Sequence, residues 1–136
     1  MTQEDKELLL KDLCARLPYG VKVKTLLKEP YTLKGLFDTE YGGVMGCLLG
    51  KFVTNNVSPK TTNYPLEQFK PYLFPLSSMT EEQIKEFNSI TQKCSTYIGK
   101  SILLTDFCNK HHIDWRGFIE KGLAEDATDK NIYDYL

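Results

Sequence analysis

Residues 70–87, KPYLFPLSSMTEEQIKEF, constrain the fold more than any other stretch, because they mark a change from extended chain to helix. Each proline near this stretch removes a backbone donor, so we expect an extended segment at a sheet edge rather than a central strand. The prolines concerned are Pro65, Pro71 and Pro75. Thr80 and Gln83 then match the capping box of a helix start. These structural roles favour a fold boundary over a catalytic motif.

Before this boundary, the pattern of apolar residues changes from helical to alternating. Residues 3–16 carry an apolar stripe at helical spacing, with Thr2 as N-cap and Asp5 as its capping-box partner. The stripe consists of Leu9, Leu10, Leu13, Cys14 and Leu17. The alternation that follows is typical of half-buried strands. It predicts strands at 20–27, at 31–39 with Tyr31, Leu33 and Phe37 on one face, and at 44–53 with bends at its glycines, then a polar loop at 54–63.

After the boundary, helical spacing dominates. The helix capped by Thr80 is expected to run to Ile98 and to end at Gly99, with Met79 and Ile84 forming a hydrophobic staple at its start. A second helix is expected at 101–112, and Asp114 should cap a short helical turn after it. The acidic tail either docks through its last apolar residues, Ile132 and Tyr133, or frays.

Together these segments predict one α+β domain over residues 1–136. An N-terminal helix precedes a small antiparallel sheet or SH3-like barrel, and the C-terminal half is helical. The parts are a helix at 1–17, a β-rich part at 18–76, a helical part at 77–124 and an acidic tail at 125–136.

Composition excludes several classes of protein. The net charge is −1, so no overall field favours nucleic acid or an anionic membrane. No apolar run approaches the roughly 18 residues of a membrane span, and no signal pattern is present, so we expect a soluble cytoplasmic protein. The cysteines lie among apolar neighbours without a C-x-x-C pair, which indicates reduced core residues. They are Cys14, Cys47, Cys94 and Cys108.

Three stretches, ARLPYGVKV, KPYLFPLSSMTEE and HHIDWRGFIEKGLA, together resemble a family of short proteins of gut Bacteroidales and their phages and prophages. The resemblance spans residues 15 to 124 with a variable middle. The chain departs from the family pattern at Phe74, where Arg is expected, at Ile113, where Phe is expected, and at Trp115, where Tyr is expected. The family has no established activity. The resemblance therefore implies a phage or mobile-element context and no catalytic residues.

No motif for catalysis or metal binding is present in the sequence. His111 and His112 invite a metal site, but adjacent helical residues point about 100° apart and rarely share one ion. We expect one of them to cap a helix C-terminus and the other to pack against aromatic rings. The chain is thus interpreted as a protein with no metal, no cofactor and no catalytic residues, although a composite site of distant residues stays open.

Two groups of residues are candidates for binding a partner. The aromatic residues Phe69, Tyr72 and Phe74 either contact a partner or belong to the core. Lys22, Lys24 and Lys34, with Lys28, either bind single-stranded nucleic acid or form the solvated face of a sheet. The leading hypothesis is a non-enzymatic binding protein, a phage or mobile-element accessory factor that engages another protein. The second is a binder of a small ligand such as a nucleotide, and the third is a nucleic-acid module; the oligomeric state stays open.

Overall fold

The computed structural model of the protein describes residues 1–26, 30–40, 43–50 and 61–133. Within these ranges the chain forms three α-helices and six β-strands. In chain order they are α1 (Gln3–Arg16), β1 (Lys22–Lys24), β2 (Tyr31–Asp38), β3 (Val44–Leu49), β4 (Thr61–Pro65), β5 (Lys70–Leu73), α2 (Glu81–Lys93), α3 (Tyr97–Lys110) and β6 (Glu125–Asp126). None of these helices is long and apolar enough to cross a bilayer.

The described strands form one open sheet in the order β4-β3-β2-β1-β5-β6. All neighbours are antiparallel except β5 and β6, which are parallel. The predicted α+β class is confirmed, but the sheet is mixed and does not close into a barrel. Helix α1 contributes Leu9 and Leu13 to the main core, and residues 118–124 contribute Phe118 and Leu123 beside the sheet residues.

The expectation that the proline-rich segment forms a sheet edge was wrong for β5, which lies between β1 and β6, whereas Pro65 ends β4, an edge strand of the described sheet. Backbone groups of successive strand residues point to alternate sides. The Tyr72 carbonyl points towards β1, where it accepts a hydrogen bond from the Tyr133 hydroxyl. The nitrogen of Pro71 therefore faces β6, which pairs with β5 only from Tyr72 onward. The missing donor of Pro71 removes no ladder bond.

Strand β2 differs from its predicted alternation at one point. Its register against β3 shifts between Leu33 and Gly35, as a β-bulge does. The extra residue reverses the faces beyond it. Leu33 is buried as predicted, but Leu36 packs on the core in place of Phe37, which is exposed.

The glycine of β3 at residue 46 serves close packing rather than a bend. A Cβ atom built on Gly46 would lie 2.6 Å from Cζ of Phe69 and 3.1 Å from Cδ1 of Leu33. Phe69 is buried against this bare stretch of backbone. Only glycine allows the ring to approach the strand so closely.

The predicted starts of α1 and α2 are confirmed, but the predicted end of α2 and the predicted start of the next helix at residue 101 were wrong. Thr2 with Asp5 caps α1, and Thr80 with Gln83 caps α2, each as a complete capping box. However, α2 ends at Lys93, and Gly99 lies in the first turn of α3, where its N–H donates to the Thr96 hydroxyl. A new N-cap at residue 96 therefore starts another helix where the apolar spacing alone predicted continuation.

Replacing Thr80 by alanine should lower the free energy of unfolding by about 1 kcal/mol, because the Gln83 N–H loses its acceptor. The matched control is Thr91→Ala inside the same helix, which should be neutral or slightly stabilising because alanine is the better helix former. Urea denaturation of both variants gives the comparison. Equal midpoints for the two variants would show that the cap does not stabilise α2.

The C-terminal part is less helical than predicted. After α3, residues 111–124 form successive turns, and the acidic segment returns to the sheet as β6. The tail docks rather than frays: Ile132 is buried with Tyr72 and Ala127, and Tyr133 packs against them. Lys28, most of the predicted 54–63 loop and residues 134–136 lie outside the described residues.

Candidate binding groove

The guanidinium of Arg16, in the stretch ARLPYGVKV, is fully buried and contacts the stretch HHIDWRGFIEKGLA, which pairs with the middle stretch KPYLFPLSSMTEE. Its Nε donates to Oδ2 of Asp12 at 2.8 Å, and its Nη2 donates to the Ile113 carbonyl at 2.6 Å. Its Nη1 donates to the Cys108 carbonyl at 3.4 Å, near the C-terminal end of α3. The middle stretch joins through Phe74, whose N–H and C=O bond to the backbone on either side of Ile113. One buried ion pair thus connects α1 to the turns after α3.

A second arginine, Arg116, contacts the same aspartate from a position closer to the surface. Nε of Arg116 lies 3.3 Å from Oδ1 of Asp12, so this one carboxylate contacts two guanidinium groups. The Arg116 guanidinium lies 4.1 Å from the centre of the Trp115 ring. The indole nitrogen in turn donates to the Asn109 side chain. Arg116 is therefore held in place from two sides, while 24% of its side chain stays exposed.

The loop that presents Arg116 has a fixed shape. The Asp114 carboxylate accepts hydrogen bonds from the Phe118 and Ile119 N–H groups at 2.8 and 2.9 Å. Gly117 has a φ of +76°, a left-handed conformation that favours glycine. The sequence prediction that Asp114 caps this segment is confirmed, although the segment forms turns rather than a helix.

These elements border a groove of about 590 Å³, here called the Arg–Trp groove. One wall is the turn after β5, with Leu76 exposed at the rim, and the other wall is the 114–120 loop. The lining residues are Pro75, Leu76, Ser77, Asp114, Trp115, Arg116, Gly117, Ile119 and Glu120.

The groove combines apolar side chains with one oriented cation, and its lining also includes the carboxylates of Asp114 and Glu120. The terminal nitrogens of Arg116 form no hydrogen bond to another described residue, so their N–H groups are available to an acceptor. A guanidinium donates in a planar fork that fits a carboxylate or successive carbonyl oxygens. The apolar walls can exclude water around such a contact. This arrangement can bind a ligand, but it provides no nucleophile beside a base.

Tyr133 connects β1 to β5 through its hydroxyl. Its hydroxyl donates to the Tyr72 carbonyl at 2.6 Å and accepts from the Lys22 N–H at 2.9 Å. The hydroxyl therefore lies between β1 and β5, where the two strands no longer bond directly to each other. Burial raises the pKa of Tyr133. The tail thus supplies a side-chain bridge within the sheet.

The two histidines take the roles predicted for them. His111 is the C-cap residue of α3, with its ring 4.7 Å from that of Phe107. His112 is buried and stacks on Tyr133, with ring centres 3.9 Å apart, and its Nδ1 has no hydrogen-bond partner among the described residues. Burial, aided by the nearby positive charges of Arg16 and other basic groups, lowers the pKa of His112 to about 3.

The aromatic candidates lie in the interior rather than on an open edge. Phe69 belongs to the main core, and Tyr72 is buried in the cluster with Ile132. Phe74 is half-buried, with its ring 5.8 Å from that of Tyr133. Phe69 and Tyr72 thus occupy core positions, the second of the two alternatives weighed for them, and Phe74 packs beside Tyr72 while partly exposed.

The candidate lysines lie on the adjacent strands β1 and β2, and those of β1 have partners within the protein. The Lys22 ammonium donates to the Thr32 hydroxyl, and that of Lys24 lies 3.5 Å from the Glu125 carboxylate. Lys34 is exposed on β2. Two of the three described lysines, Lys22 and Lys24, thus contact groups of the protein itself.

The cysteines are free thiols, but only Cys108 is buried. Burial raises the pKa of its thiol. The prediction of a core position was wrong for Cys14, which is exposed because the buried arc of α1 runs through Asp12 and Arg16 instead. Among the described residues, no group of three or more His, Cys, Asp or Glu side chains is arranged to hold a metal ion.

Sequence reasoning missed Asp12, Arg16 and the position of Arg116 in the lining of the groove. A signal for the first two was present, because Asp12 and Arg16 lie three and seven residues after Leu9, on the face of α1 that Leu9 and Leu13 bury. An Asp–Arg pair at spacing i, i+4 on an apolar face indicates a buried ion pair. No local signal placed Arg116 beside Asp12, which lies 104 residues away.

Comparison of the chain with protein-family models, curated proteins and solved structures found no match.

Proposed function

We propose that the chain is a non-enzymatic protein-binding factor, an accessory protein of a phage or mobile element that engages a partner protein in the cytoplasm. The observation that carries this proposal is the Arg–Trp groove, where Arg116 is stacked on Trp115, anchored to Asp12 and still exposed to an acceptor. Tryptophan and arginine are the residue types most enriched where binding energy concentrates in protein interfaces. The exposed Leu76 adds an apolar contact at the rim.

Fixed geometry supports binding by this groove. A partner that binds a flexible arginine must order its side chain, which costs free energy. Here Asp12 and Trp115 already hold the guanidinium, so that cost is met during folding. A carboxylate or backbone carbonyl of a partner segment is the chemical group that this arginine fits.

A small ligand is the second candidate for the same groove. Its volume of about 590 Å³ lies within the range of ligand pockets, roughly 300–1,000 Å³. Nucleic acid ranks behind both, because Lys22 and Lys24 are engaged with protein groups and the net charge is −1.

Arg116→Ala should weaken binding of a captured partner by about 30-fold, the effect of removing a contact worth about 2 kcal/mol. A tagged form of the protein is used to capture the partner from the cells in which the protein naturally occurs, and mass spectrometry identifies the partner. The purified partner is then titrated with each variant by calorimetry. The matched control is Lys121→Ala, which removes an exposed cation of the same loop that does not line the groove. Unchanged affinity in Arg116→Ala, or equal losses in both variants, would contradict the proposal. A small molecule bound to the native protein, lost in Arg116→Ala, would favour the second candidate instead.

A further inference from the structure

The two walls of the Arg–Trp groove are joined at their base by one pair of backbone hydrogen bonds. The Phe74 N–H donates to the His112 carbonyl, and the Asp114 N–H donates to the Phe74 carbonyl, each at 2.8 Å. The wall that contains Leu76 begins directly after Phe74, and the loop that carries Arg116 begins at Asp114. The separation of the two walls therefore depends on how Phe74 and His112 are held.

Tyr133, in the C-terminal tail, contacts both of these residues. Its ring stacks on the His112 imidazole, with ring centres 3.9 Å apart and planes inclined by 11°. The centre of the Phe74 ring lies 5.8 Å from that of Tyr133. The hydroxyl of the same side chain is fixed between β1 and β5. Tyr133 is thus anchored in the sheet by its hydroxyl, and its ring packs at the base of both walls.

His112 needs such support because its backbone is strained. Its φ of +57° is a left-handed conformation, which costs free energy for a residue that has a Cβ atom. A strained conformation of this kind persists only where the surrounding contacts impose it. The Nδ1 atom of His112 makes no hydrogen bond to another described residue, so the stacked ring of Tyr133 and the backbone bond to Phe74 hold this residue. Arg16 fixes the next residue, Ile113, through its carbonyl.

We propose that Tyr133 is a positioning residue of the Arg–Trp groove, whose ring holds the two walls at the separation that presents Arg116 and Trp115 to a partner. This inference rests on the function proposed above for the groove. Release of the tail would free Phe74 and His112, and a partner would then have to order the groove as it binds, at a cost in affinity. Docking of the tail therefore controls whether the groove is formed before the partner arrives.

Trp115 provides the readout, because it is the only tryptophan of the chain and lines the groove. Its emission maximum and its quenching by acrylamide report the shape of the groove in the absence of any partner. Tyr133→Ala removes the ring, so the emission should shift to longer wavelength and acrylamide should quench it more strongly. Tyr133→Phe removes only the hydroxyl, so the protein should melt at a lower temperature while the Trp115 emission stays as in the wild type.

The matched control is Thr2→Ala, which removes the cap of α1 outside the groove lining. It should lower the melting temperature without a change in Trp115 emission. If circular dichroism shows that Tyr133→Ala does not fold, Tyr133→Leu takes its place, because leucine keeps apolar bulk but cannot stack. Wild-type emission in the folded alanine or leucine variant would overturn the proposal. An equal emission change in Tyr133→Phe or in Thr2→Ala would overturn it as well.

Partner affinity separates this inference from the proposed function. Binding of the captured partner should weaken by about tenfold in Tyr133→Ala and stay unchanged in Tyr133→Phe, because ordering mobile groups on binding lowers affinity by about that factor. A shifted Trp115 emission in Tyr133→Ala, with wild-type partner affinity in Arg116→Ala, would support the positioning role and contradict the proposed function. Unshifted emission in Tyr133→Ala, with weakened binding in Arg116→Ala, would overturn the positioning role and leave the proposed function standing.

Discussion

Replacing Arg16 by alanine should lower the free energy of unfolding by about 3–5 kcal/mol, the cost of breaking a buried ion pair by removing one partner. The Asp12 carboxylate would keep only the Arg116 contact at 3.3 Å, and the Ile113 and Cys108 carbonyls would lose their donor. Such a loss is a large part of the 5–15 kcal/mol that typically stabilises a domain. Urea denaturation monitored by circular dichroism measures it.

Two further variants separate charge from packing. Arg116→Ala removes only the outer, partly exposed partner of Asp12, so it should cost about 1 kcal/mol or less. In the double variant Asp12→Leu, Arg16→Leu both buried charges are absent, and stability should recover in part relative to Arg16→Ala. A change below about 1 kcal/mol in Arg16→Ala would show that the network does not stabilise the fold.

The second large effect is acid sensitivity through His112. Its pKa is lowered to about 3 in the folded protein, against an ordinary value of about 6.5, so the unfolded chain binds the proton more tightly. Stability is therefore complete above the ordinary pKa and falls as the pH drops below it. The loss is at most about 1.4 kcal/mol per pH unit and should reach about 4 kcal/mol towards pH 3.

The comparison variant for this effect is His112→Asn, because residue 112 has a φ of +57°, which asparagine tolerates better than most residues. Its free energy of unfolding should fall less between pH 7 and pH 4 than that of the wild type. His111→Gln removes the neighbouring imidazole and should retain most of the wild-type acid dependence. Parallel curves for wild type and His112→Asn would mean that another group governs acid unfolding.

The parts of the fold that the sequence predicted are those governed by local interactions. A capping box acts within four residues, so Thr2 and Thr80 were sufficient to place the starts of α1 and α2. The alternation at Val21 and Val23 likewise identified β1, because side chains alternate over a single strand. Similarly, the docking of Tyr133 was open to prediction as one of two alternatives, since an aromatic residue in a polar tail favours burial.

The remaining features depend on contacts between distant residues. The place of β5 inside the sheet depends on its contacts with β6 and Tyr133. Whether Pro71 excludes a central position could therefore not be decided from the sequence, because the strands beside β5 were not known. The β2 bulge is a property of a strand pair, and the sequence of one strand does not reveal it. The Arg–Trp groove joins α1, the turn after β5 and the loop after α3. The groove could be predicted from the sequence only after the positions of these elements in the fold were known.

During synthesis, β1 emerges from the ribosome long before the last residue that hydrogen-bonds to its second side. The side of β1 that faces β2 can pair as soon as β2 is synthesised. The Lys22 N–H, in contrast, meets its acceptor, the Tyr133 hydroxyl, only 111 residues later. At about 5–20 residues per second this delay is about 5 to 20 seconds. Until β5 is made, the backbone groups on that side of β1 form an open edge that strands of other nascent chains can pair with, and the Lys22 N–H meets its acceptor only when Tyr133 follows. The growing chain is therefore most vulnerable to aggregation in this interval, and a chaperone that shields β1 would act at the point of greatest effect.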